Sequence, residues 1–231
     1  MHRRSFLAMA VLLTATPAFA RVDDQVATVQ AEVEDIVRRF MIEAGPLVKD
    51  FPTPKVVLSF TPALSWIKED GSEVHTVAWT QCPPDFQGFI ASLLGQPPVA
   101  DPAWFFTEVF NAFLVPHEMS HFVDAKSGRL ENGGRLYDGE VHANRVAVAF
   151  WLTQPGGEAR LSKLMDVVRV VQGNLPNPVP AGEDRVAFFQ QNYTALGSNP
   201  AAYGWYQFQM FLDAWALKDQ KDFRTLLAEG A

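Results

Sequence analysis

Apolar residues recur every third or fourth position over residues 24–45. Val26, Val29, Val33, Ile36, Val37, Phe40 and Met41 fall on one face of a helix. Pro52 and Pro54 end that pattern. The next apolar run, "KVVLSF" at 55–60, is short and continuous, as in a buried strand. In "ALSWIKEDGSEVHTVAWTQ" apolar and polar residues flank Asp70-Gly71-Ser72, which predicts a hairpin turning there. Its second arm, His75 to Gln81, reads either as a sheet edge that pairs with extended substrate or as an ordinary hairpin strand. Pro83 and Pro84 close this β-rich stretch. A short helix is predicted over 86–94, and "GQPPVADP" at 95–102 is a loop.

From Asp101 onward the pattern is helical. One helix is predicted over 102–123, with Pro116 expected to kink or split it, because proline has no N–H to donate. Gly128 suits a helix end and "ENGGR" at 131–135 a loop. A helix is predicted over 138–153 with Asp138 as its N-cap. Another covers 158–171, with Leu161, Leu164, Met165, Val168 and Val171 on one face. A proline-rich loop at 173–182 leads to helices at 183–196, 200–217 and 219–229. The expected fold class is therefore α+β and mostly helical. An N-terminal helix and β subdomain over 21–101 precedes a helical subdomain over 102–231, and the two share a cleft.

The first twenty residues stand apart. "MHRRSFLAMAVLLTATPAFA" has a basic start, an apolar middle and Ala18-Phe19-Ala20 at its end, the layout of a secretory signal peptide. "RRSFL" resembles the bacterial twin-arginine export signal, the other reading being general secretion. A periplasmic or secreted chain beginning at Arg21 is expected, with 211 residues in one domain or two intimate subdomains. Formal charge is −7, and −9 without Arg3 and Arg4, with no basic block, which argues against a nucleic-acid partner. No later segment is long and apolar enough to span a bilayer, so no stable membrane anchor is expected. Cys82 is the only cysteine, so no intramolecular disulfide can form. Core packing, together with a metal if one binds, must hold the exported fold.

The chemistry concentrates in "HEMSH", which fits H-E-x-x-H. His117 and His121 lie just over one helical turn apart and present both imidazoles to one ion. Glu118 projects beside that ion, where a carboxylate can take a proton from water polarised by the metal. Phe110, Phe113, Leu114, Val115, Phe122 and Val123 mark the helix as buried. Two histidines and a glutamate buried unpaired would be costly, and a metal removes that cost. Catalytic zinc usually takes three protein ligands and leaves a position for water. The spacing H-E-x-x-H-x-x-G-x-x-H is not met, because Asp124 and Ser127 stand at its last two conserved places. "YDGEVHANRVAVAFW" offers Glu140 and His142 instead. They lie about 200° apart on a helix, so only one can face the ion. Asn144 and the small Ala147 share Glu140's side, which favours Glu140.

H-E-x-x-H, eighteen residues, then E-x-x-x-[D/N] resembles the gluzincin group of zinc metallopeptidases over about 35 residues, His117 to Trp151. The resemblance implies a zincin-like fold with the active-site helix between its two parts. It implies Zn2+ as cofactor, His117, His121 and Glu140 as its ligands, and Glu118 as general base. Asn144 would take the place that orients a ligand histidine. Gluzincins usually carry aspartate there; asparagine can accept an imidazole N–H but lends less charge. Hydrolysis also needs a donor for the developing oxyanion, for which Tyr203 and Tyr206 are candidates and Tyr193 a weaker one. Tyr206, Met210, Phe211 and Trp215 also fit a plain core stripe. The function expected is zinc-dependent hydrolysis of a peptide or protein substrate. The alternatives are a zincin-like peptide- or partner-binding module without catalysis, and a zinc hydrolase of non-peptide amides or esters.

Overall fold

The computed structural model describes residues 19–60, 64–68, 70–128 and 136–230, with side chains from Asp24 onward. Most of the expected export signal and the loop at 131–135 lie outside the described residues. Helix α1 spans Phe19–Ala44 and buries Val33, Ile36, Val37, Phe40 and Ala44. It ends at Gly45, whose φ of +51° suits the left-handed residue that closes a helix. The chain then forms β1 (Lys55–Leu58), β2 (Trp66–Ile67) and β3 (Glu73–Thr76).

β2 and β3 form the expected hairpin. Asp70 Oδ1 accepts from the Ser72 backbone N–H at 2.8 Å and from its hydroxyl at 2.6 Å, an Asx-type turn. Gly71 sits in this turn at φ +69°, against the ring of Phe122. The strand order, however, is β1-β3-β2, with β1 parallel to β3 and β2 antiparallel to it. β3 is central, so both its edges are hydrogen-bonded within the sheet and neither can accept a substrate strand. The strand also stops at Thr76, and Trp79–Gln81 is a 3₁₀ turn. The expectation of a substrate-pairing edge at His75 to Gln81 is thus corrected. A hairpin is visible locally, but the parallel partner β1 arrives from an earlier segment.

The remaining described chain is helical. α2 (Pro84–Leu93) starts on its proline, and α3 (Pro102–Phe106) leads into a π-helical turn, Thr107–Phe113. α4 (Leu114–Lys126) follows without interruption. Pro116 therefore neither kinks nor splits the helix visibly; the irregularity lies in the turn before it. α5 (Leu136–Leu152) holds Asp138 inside its first turn, exposed, and not at an N-cap. α6 (Gly157–Asn174), α7 (Arg185–Gly197), α8 (Pro200–Ala216) and α9 (Phe223–Glu229) complete the fold. Asp184, Asn199 and Asp222 cap the last three by accepting backbone N–H groups.

The molecule is mostly helical with one small sheet. α4 packs along α5, and α8 packs on both α5 and α6. α1 lies against α4 and α9. Phe223 of α9 is 2% exposed and meets Phe40 of α1 edge-on at 5.2 Å and Phe150 of α5 at 5.7 Å. Arg224 Nε donates to the Glu43 carbonyl at 2.8 Å. Most buried apolar side chains between Val33 and Leu227 belong to one core cluster. Cys82 is part of that core, and burial pushes its thiol pKa up to about 12. Among the described residues no helix is long and apolar enough to cross a membrane.

Candidate metal centre

The H-E-x-x-H motif lies on α4, where Val115 and Met119, with Phe113 just before the helix, are buried in the core. His117 and His121 are 3% and 5% exposed, and Glu140 of α5 is 5% exposed. Their ligand atoms lie within 4.8 Å of one another, a group that could hold a metal ion. Glu140 Oε2 is 3.4 Å from His117 Nε2, and Oε1 is 3.7 Å from His121 Nε2. These distances exceed an N–H···O hydrogen bond. They are close to the roughly 3.3 Å that separates two donor atoms placed about 2.0 Å from one tetrahedral ion.

The hydrogen bonding of His117 supports the same conclusion. Its Nδ1 is 2.9 Å from Asn144 Oδ1. That oxygen only accepts, so Nδ1 carries the proton and, in the neutral ring, Nε2 carries the lone pair. The lone pair then faces a carboxylate oxygen. Only a cation reconciles the two, either a proton or a metal. Burial disfavours the His117 imidazolium, yet Glu140, the nearby Glu118 charge and Asn144 outweigh it and raise its pKa above the ordinary value. Asn144 is fully buried, one turn beyond Glu140 on α5, so one helix supplies both the carboxylate and the group that orients His117.

Glu118 is half-exposed between two buried neighbours. It borders the group without being part of it, as a proton-transferring carboxylate requires. His142 is buried and lies outside the group formed by His117, His121 and Glu140.

The tyrosines part ways. Tyr203 reaches the site through Gln207, whose Nε2 donates to Glu140 Oε2 at 3.2 Å and to the Tyr203 hydroxyl at 2.9 Å. Burial first, and then the Glu140 charge, raise the Tyr203 pKa well above its ordinary value, so it stays a protonated donor. Tyr193 packs beside it with ring centroids 6.3 Å apart. Tyr206 is fully buried among Tyr137, Phe189 and Trp205, and its hydroxyl donates to the Arg185 carbonyl at 2.9 Å. It is a core residue, and its candidacy as oxyanion donor is withdrawn.

No family model, curated protein or solved structure matches this chain. Gln207, among the described residues, joins the site without a motif of its own. Its position one helical turn after Tyr203 was the available signal.

Proposed function

We propose that this chain is an exported zinc-dependent peptidase of zincin-like architecture. One observation carries the reading: two imidazoles and a carboxylate converge in a buried group, with a half-exposed glutamate beside the first imidazole. The donor set suits zinc, which takes neutral imidazole and carboxylate ligands, with three from the protein where catalysis needs an open position. When bound there, the ion supplies Lewis acidity and lowers the pKa of water to about 7.

The protein's own groups do the rest. Glu118 takes a proton on its carboxylate and passes it to the leaving amine. Asn144 holds His117 in the tautomer that ligates, and Gln207 holds Glu140. Tyr203, kept protonated and linked to Glu140 through Gln207, is the candidate donor for the developing oxyanion. A binding module with a purely structural ion has no use for a half-exposed carboxylate beside its first ligand. The basic, apolar, A-x-A layout of residues 1–20 supports a periplasmic or secreted location.

The test joins metal analysis to cleavage of a mixed peptide library. The purified protein is expected to carry one zinc, lose cleavage to a chelator and regain it with zinc. Glu118→Gln keeps the shape but takes no proton at neutral pH. It is expected to retain the metal and lose at least about 10²-fold in turnover. A variant with full activity would remove the proposed mechanism. A metal-free wild type would remove the metal centre itself.

A further inference from the structure

The helix bearing His117 and His121 is preceded by the π-helical turn Thr107–Phe113. A π turn carries more residues than an α turn. One extra residue rotates everything that follows by about 100° relative to an unbroken α-helix. α3, before the turn, is anchored by Phe105 and Phe106, both fully buried. The π turn therefore sets the angle at which the two histidines leave that anchor.

Specific groups hold this turn. In an α-helix the Ala112 carbonyl would accept from the N–H of residue 116, but that residue is proline and has none. Trp151 supplies the donor: its indole Nε1 reaches the Ala112 carbonyl at 3.3 Å. On the other side, the Thr76 hydroxyl donates to the Phe110 carbonyl at 3.0 Å. Asn111 Nδ2 donates back to Thr76 Oγ1 and to the Val77 carbonyl, both at 2.9 Å. Trp151 is held in turn. The Arg160 guanidinium lies 4.4 Å from its ring centre and grips Glu108, inside the π turn, at 2.6 Å. Trp151 also shares α5 with Glu140 and Asn144. The helix that supplies the third ligand thus fixes the register of the helix that supplies the first two.

We propose that Trp151 and Thr76 are positioning residues: they hold the π-helical turn that aims His117 and His121 at Glu140. The proposal rests on the metal-centre reading above and extends it to residues that touch neither the ion nor the substrate.

The experiment uses the full chain with cobalt(II) and zinc as probes. Cobalt absorption reports coordination geometry, and chelator competition reports zinc affinity. Trp151→Phe keeps a ring but loses the N–H; Thr76→Val loses only a hydroxyl. Each is expected to weaken zinc binding by at least about tenfold and to shift the cobalt spectrum while unfolding remains cooperative. Should Trp151→Phe fail to fold, Thr76→Val alone decides.

The double variant Pro116→Ala with Trp151→Phe separates aiming from support. Alanine returns a backbone donor to the Ala112 carbonyl, so thermal stability recovers, but in an α register that misdirects the histidines, so metal affinity does not. Wild-type cobalt spectra and zinc affinity in the single variants would overturn the proposal, as would recovery of both properties in the double variant. If the wild type binds neither metal, the metal-centre reading falls, and this proposal with it.

Discussion

At the scale of one residue, His117 is where a proton would compete with a metal ion at the candidate centre. Its pKa is raised because two carboxylates and Asn144 outweigh the cost of burial. In the metal-free protein, a raised folded pKa adds stability that is fully present below the ordinary histidine value of 6.5. It is lost as pH rises through the folded value. Metal binding runs the other way, because the ion must displace that proton. The stability gap between zinc-loaded and metal-free protein is therefore expected to widen as pH rises above 6.5. Melting temperatures of both forms from pH 6 to 9 check this. A constant gap would mean that His117 carries no proton in the metal-free state. The same residue shows what local pattern reveals. His117, Glu118 and His121 fall within five positions, and Glu140 and Asn144 one turn apart, so helical geometry alone relates each set. Gln207 belongs to neither set. Only the packing of α8 on α5 brings it to Glu140, and the apolar stripe around it reads as core.

At the scale of elements, the β2–β3 hairpin and α4 meet at one point. A Cβ added to Gly71 would lie 1.8 Å from a ring carbon of Phe122, the residue after His121. The position also has φ +69°, which alanine adopts with strain. Gly71→Ala is expected to cost about 2–4 kcal/mol, combining overpacking with backbone strain. Equilibrium urea unfolding measures it, and a loss below about 0.5 kcal/mol would show that the ring yields freely. The hairpin was legible because Asp70-Gly71-Ser72 carries its own turn chemistry. The strand order was not, because nothing in 55–58 says that it will lie parallel to 73–76. Pro116 does not interrupt the helix it sits in; the irregularity is the π turn that precedes it. Thr76 and Trp151, distant in sequence, donate to two carbonyls of that turn, contacts that no local pattern announces. Helix starts followed caps where the cap was unambiguous. Three acidic or amide caps hold the last helices, yet Asp219 drew the expected start of α9 away from Asp222.

At the scale of the whole molecule, the seat of Phe223 between Phe40 and Phe150 orders events in time. The first and last described helices, α1 and α9, are in direct contact. During synthesis the first emerges from the ribosome long before the second exists. Until then the aromatic side chains of Phe40 and Phe150 lack the partner that covers them, and the two-ended closure cannot form. Contacts of such sequence separation slow folding and leave intermediates exposed. Completion is therefore an event that follows release of the segment after Asp222. A chain ending at 222 is expected to remain open permanently: sensitive to protease under native conditions and without a cooperative melting transition. Cooperative melting of that shortened chain near the full-length temperature would show that closure by α9 is dispensable.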